Sequence, residues 1–169
     1  VFCGNLRELP AMLHGTDALL PYAADIEALA AHGTTTAFCE IDRNPHSWIY
    51  LPDERHRSHR IICTGNFAPS NNAPDRFTAT VEFTGRADED EVRRQLALVP
   101  YAPRLLALNY APYTYPVQNA GTRAMVAHLR ERLGAERLHL LGRFAEWEYY
   151  NMDVAMGAAI DLEARHFAG

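Results

Sequence analysis

The chain has 169 residues, enough for a domain with a real core, and its 48% hydrophobic and 22% charged content is that of an ordinary globular protein. A net charge of −5 argues against a general nucleic-acid binder, and no apolar run reaches the roughly 20 residues a membrane helix needs. All 16 basic residues are Arg, a composition that suits an anion site because a guanidinium grips phosphate at two points.

VFCGNL reads as a short strand already under way at Val1, so the sequence is expected to be a piece of a longer protein rather than a mature chain trimmed at its start. It has neither the charged lead nor the long apolar stretch of a signal peptide. A turn or brief helix follows over 6–13. Residues 22–31 (YAADIEALAA) place apolar side chains three and four apart, a short helix that Gly33 is expected to end. TTTAFCEID, SWIYLP and HRIICTGNF are strand-like runs separated by DRNPH and DERHRS, and APSNNAPD is a turn cluster. FTATVEFTG alternates as a half-buried strand does, and DEDEVRRQLALV is a helix with acids in its first turn. Pro100 and Pro103 close that helix, and LLALNYAPYTYPV is a further strand. Residues 121–133 form an amphipathic helix with Met125, Val126, Leu129 and Leu133 on one face, Arg123, Arg130 and Arg132 facing out, and Gly134 as its stop. A last strand over 138–141 and a last helix over 153–166 complete the series. Five or six strands and four helices in this order predict an α+β fold, a mostly antiparallel sheet over 34–117 with flanking helices.

Cys3, Cys39 and Cys63 are odd in number and show no metal or redox spacing, which suits a reducing, cytoplasmic setting. His56 and His59 stand three apart in a loop with no helix or carboxylate pair to complete a site, so no metal is expected. GxSxG, Walker and GxGxxG patterns are all absent from the sequence.

The chemistry concentrates in LGRFAEWEYYNMDVAMGAAIDL, residues 141–162. Asn151, Met152 and Asp153 stand where a helix begins, and its free N–H groups offer a polar-ligand site; a plain capped helix on a sheet explains them as well. Ala155, Gly157, Ala158 and Ala159 would let a flat cofactor or another backbone come close. Arg143 follows Gly142 and is flanked by Phe144, Trp147, Tyr149 and Tyr150, a partly dry setting in which a charge-assisted bond is stronger. Tyr113 and Tyr115 precede Pro116, and Arg60 leads the strand that ends at Gly65-Asn66; core packing or a solvated strand end are the ordinary uses of such residues.

RIICTGNFAPSNNAP, YTYPVQNAGTRAM and LGRFAEWEYYNMDVAMGAA, in this order and spacing, resemble the C-terminal half of UDP-galactopyranose mutases and their relatives in the FAD-dependent amine-oxidase and protoporphyrinogen-oxidase-like superfamily. The resemblance covers 34–166 and is looser over 1–33. It implies three parts: 1–33 as the edge of a Rossmann-type FAD domain and a connecting helix, 34–137 as a substrate-binding sheet domain, and 138–169 as a strand and helix completing the FAD site. It further implies that Arg60, Tyr115, Arg143 and Tyr149 bind the substrate diphosphate, and that Gly142, Arg143, Asn151, Met152 and Asp153 contact the cofactor. Many mutases carry Asp where this chain has Asn151, which keeps an acceptor but loses a charge. No catalytic side chain is implied, since the chemistry belongs to the flavin.

The family's N-terminal GxGxxG unit and its uridine-binding helices have no counterpart in these residues. The implied partners are therefore the missing FAD-binding half and a nucleotide sugar or other small polar substrate, with neither nucleic acid nor membrane. Alone, the chain is expected to hold FAD weakly or not at all and to be inactive. Two alternatives stand beside this reading: an amine-oxidase-like enzyme on a small molecule, and a non-catalytic fragment serving as a binding module.

Overall fold

The computed structural model describes residues 1–167. In chain order it contains helices α1 (Leu9–Met12) and α2 (Ala23–Glu27), strands β1 (Ala31–Ile41), β2 (Trp48–Tyr50), β3 (Ser58–Ile62) and β4 (Phe77–Thr84), helix α3 (Glu89–Leu96), strand β5 (Arg104–Pro116), and helices α4 (Thr122–Ala135) and α5 (Met152–His166). The fold is α+β, a five-stranded antiparallel sheet in the order β2-β3-β4-β1-β5 with flanking helices. The sequence suggests divisions at 33/34 and 137/138; by compactness the chain forms one unit from Val1–Ala31 with the residues from Tyr115 onward, and a second from His32–Thr114. No helix among the described residues is long and apolar enough to cross a membrane.

In the second unit, alternation sets which side of the sheet is dry. Ala37 pairs with Val81 and Cys39 with Ala79, all four buried, and Val92, Leu96 and Val99 join them in one apolar cluster. Ser58 and Ile61 are both fully buried although three residues apart, which a regular strand forbids. A register shift between Ser58 and Arg60 supplies the extra residue and turns both inward. On the opposite face lie Phe38, Trp48 and Tyr50, all exposed. Asp88 caps α3 by accepting from the Glu91 N–H at 2.8 Å, where the acids of the first turn also favour the helix dipole.

One expectation fails here for a packing reason. Helix α2 ends at Glu27, and Gly33 lies inside β1 instead of stopping a helix. A Cβ on Gly33 would collide with the Tyr110 hydroxyl and stand 2.9 Å from the Ala111 carbonyl oxygen, so the glycine serves close approach of β5.

In the first unit the expected apolar face of α4 is the buried one: Val126, Leu129 and Leu133 pack with Leu6, Leu9, Ile26, Leu140 and Trp147. Gly134 does not stop α4. Arg137 takes the left-handed position at φ 60°, with Arg137 N–H donating to the Gly134 carbonyl and Leu138 N–H to the Leu133 carbonyl, both at 2.9 Å. That pair of bonds closes the helix as a Schellman turn with arginine in the usual glycine place. The strand expected over 138–141 reduces to a single parallel bridge between Phe2 and Leu140, because the described residues offer only that short segment to pair with.

Candidate functional site

The Gly142–Tyr150 loop owes its shape to backbone strain held by polar braces. Gly142 adopts φ 101°, a region that L side chains avoid, and Trp147 adopts φ 49° while fully buried. Two helix-like turns bridge these points, Glu146 N–H to the Gly142 carbonyl at 2.9 Å and Glu148 N–H to the Arg143 carbonyl at 3.0 Å. Gln118 holds the bend by donating its amide to the Trp147 carbonyl.

Helix α4 supplies the other braces. Arg123 grips Glu148 through Nε at 2.9 Å and Nη2 at 3.0 Å, and Arg130 pairs with Glu146 at 3.0 Å. Helical periodicity predicts these arginines facing out. Their stems lie on the outer side of the helix, but the guanidiniums reach the loop, and Arg132 donates to the Ala18 carbonyl at 3.0 Å. The legible signal is spacing: Arg123 and Arg130 are seven residues apart and share a helical face, and two acids, Glu146 and Glu148, flank Trp147.

Arg143 leaves this loop with its guanidinium fixed. Nε donates to the Tyr150 carbonyl at 3.0 Å, and Nη2 donates to the same oxygen. The guanidinium carbon lies 5.6 Å from the Tyr115 ring centre and 5.1 Å from that of Tyr149, and the two rings stack at 5.7 Å and 18°. Three of the four residues expected to bind substrate therefore meet in one cluster. Not all the flanking aromatics surround the cation: Phe144 packs edge-on against buried Trp147 at 5.5 Å, so both serve the core. Tyr150 contributes its carbonyl, while burial first, and then the neighbouring Glu146 carboxylate, pushes its phenol above the ordinary tyrosine range.

Arg60 belongs to the sheet unit. Its Nε donates to Glu82 at 2.5 Å, its guanidinium lies 4.9 Å above the Trp48 ring, and both charged side chains are more than four-fifths covered. Burial alone would raise the Glu82 carboxyl, but hydrogen bonds from His59 and Arg60 outweigh it and hold the group below the usual range. Tyr113 is 42% exposed. Among the described residues, no group of three or more His, Cys, Asp or Glu is placed to hold a metal ion.

Asn151 occupies the N-cap position of α5 with extended φ and ψ, but its side chain makes no capping bond. The amide, Met152 and Asp153 all face outward, and α5 buries none of its 15 residues. Met152, Met156 and Ile160, spaced four apart, form an exposed apolar stripe along it.

No protein-family model and no curated protein matches this sequence. Among solved structures, the fold is similar to a reduced UDP-galactopyranose mutase, with a TM-score of 0.78, 17% identity, and coverage of 98% of this chain and 40% of that one. It is also similar to a protoporphyrinogen oxidase-like protein from Exiguobacterium sp. 255-15, with a TM-score of 0.64, 14% identity, and coverage of 96% and 40%. The chain thus spans about 40% of the length of these structures and has the fold of that portion of each.

Proposed function

We propose that this chain is the substrate-facing and cofactor-contacting portion of a FAD-dependent mutase or oxidoreductase that acts on a nucleotide sugar once a FAD-binding half completes the site. The observation that carries the reading is the Arg143 cluster with Tyr115 and Tyr149. A diphosphate is best held by a guanidinium whose geometry is set in advance, assisted by phenol hydroxyls that donate without adding charge. Arg143 supplies the first, and Tyr115 and Tyr149 supply the second. Arg60 is assigned as a second phosphate ligand by the resemblance alone.

The start of α5 fits a flavin. The Asn151 amide is not consumed by capping, Met152 and Asp153 are exposed, and nothing lies within 4 Å of where a Cβ on Gly157 would stand. In this reading Gly142, Arg143, Asn151, Met152 and Asp153 hold the cofactor. FAD when bound supplies the bond-making chemistry at the sugar. The chain's own part is to neutralise the diphosphate, orient it and keep it beside α5. Likeness in fold to a reduced UDP-galactopyranose mutase supports the assignment.

Titration calorimetry of UDP with the complete protein tests it. Binding is expected, with a large loss in Arg143→Ala and a smaller one in Tyr149→Phe. A wild-type protein that takes up flavin but ignores UDP would overturn the diphosphate assignment in favour of a small-molecule oxidase.

A further inference from the structure

We propose that Glu146 is the positioning residue of the Arg143 site and that α4 acts on that site through it. The functional meaning rests on the anion-site reading above, whereas the geometry stands without it.

Glu146 lies between Ala145 and Trp147, both members of the apolar cluster, with its own side chain only 4% exposed. A carboxylate buried to that degree is costly unless its oxygens are occupied. Here Oε2 accepts the Gly142 N–H at 2.9 Å, and Oε1 pairs with Arg130 Nη1 at 3.0 Å. At the far end of the loop the Tyr150 carbonyl is the acceptor for Nε and Nη2 of Arg143. One connected series runs from Arg130 through Glu146 to the Gly142 N–H, one residue before Arg143.

The device is the bend itself. Gly142 immediately precedes Arg143 and is held at φ 101°. By accepting the Gly142 N–H, Glu146 fixes the turn from which Arg143 departs. An acid three residues from the cation therefore orients it without touching it. Such a site is rigid before ligand arrives, which removes the ordering cost from binding.

Exchange of the Arg143 Nε–H with water, followed by nitrogen–proton NMR on the full chain, tests the geometry. The Arg143 signal is assigned by its loss in Arg143→Lys. Slow exchange is expected in the wild type, and acceleration of about tenfold or more in Glu146→Ala. Glu146→Gln, whose amide oxygen can still accept the Gly142 N–H, should preserve most of the protection. Arg130→Met, which removes the cation but leaves the Gly142 N–H and Glu146 as they are, should give an intermediate loss even if Glu146→Ala does not fold. Unchanged exchange in both Arg130→Met and Glu146→Ala, or in Arg130→Met alone where Glu146→Ala is unfolded, overturns the proposal.

UDP calorimetry on the complete protein supplies the second arm. Glu146→Ala should weaken UDP about tenfold in the wild-type background and not at all in an Arg143→Ala background. An equal loss in both backgrounds means a merely structural role and overturns the proposal. If the wild type binds no UDP, the diphosphate reading falls, and the exchange measurement still decides the positioning role.

Discussion

Arg143 donates two N–H groups to one acceptor, the main-chain carbonyl of Tyr150 seven residues later. A planar guanidinium can straddle one oxygen and still stand 5.1 and 5.6 Å from two phenol ring centres; an ammonium lacks that fork. Arg143→Lys is accordingly expected to behave as a loss and not as a conservative change. UDP affinity should fall roughly tenfold or more, within the about 1.5–3 kcal/mol of a charged hydrogen bond. Calorimetry with matched thermal unfolding separates that effect from misfolding.

Helix α5 has no buried residue, and its start is fully presented to the outside. On the reading above, this surface is covered by FAD and by the half that binds it. The isolated chain should therefore emerge colourless from purification. Visible flavin absorbance should co-elute with it only after mixing with a FAD-binding half. A stably yellow, stoichiometric preparation of the 169-residue chain alone contradicts this.

Gly33→Ala places a methyl against the Tyr110 hydroxyl and 2.9 Å from the Ala111 carbonyl oxygen. The backbone atom cannot swing away as a side-chain tip can, so β5 must shift. The expected cost is about 1–3 kcal/mol, as for other overpacked sites. Urea unfolding measures it, and an unchanged midpoint would show that the strand yields freely.

Acid should loosen the Gly142–Tyr150 loop. The hydrogen bond from Arg123 holds the Glu148 carboxyl below the usual carboxylate range. A depressed folded pKa makes the contribution to stability full above the unfolded pKa, and the contribution is lost as pH falls through the folded value. Loop protection measured by hydrogen exchange should thus weaken below the ordinary carboxylate range. Glu148→Gln should flatten that dependence; an unaltered pH profile in the variant assigns the acid sensitivity elsewhere.

The three thiols should separate cleanly under an alkylating reagent. Burial pushes Cys39 up to about 12 and raises Cys63 as well, whereas Cys3 is exposed. Only thiolate reacts, so native protein at neutral pH should take one label, on Cys3, and three after denaturation. Rapid native labelling of Cys39 would mean that the sheet opens readily.

Period and chemistry in the sequence determined the strands, the apolar face of α4 and the chemical identity of the site residues, because side-chain alternation and capping are local properties. The same local reasoning misplaced Gly33 and Gly134: a glycine looks identical whether it ends a helix or admits a neighbouring strand, and Arg137 could take the left-handed turn instead. Nor do residue types disclose that Phe144 and Trp147 serve the core while Tyr149 lies on Arg143, or that Arg123 and Arg130 brace the loop. Those facts depend on contacts between segments far apart along the chain, and burial of Glu146 and the bends at Gly142 and Trp147 exist only once those segments have packed. The residues name a cation and its phenols; packing alone sets the angle at which they meet.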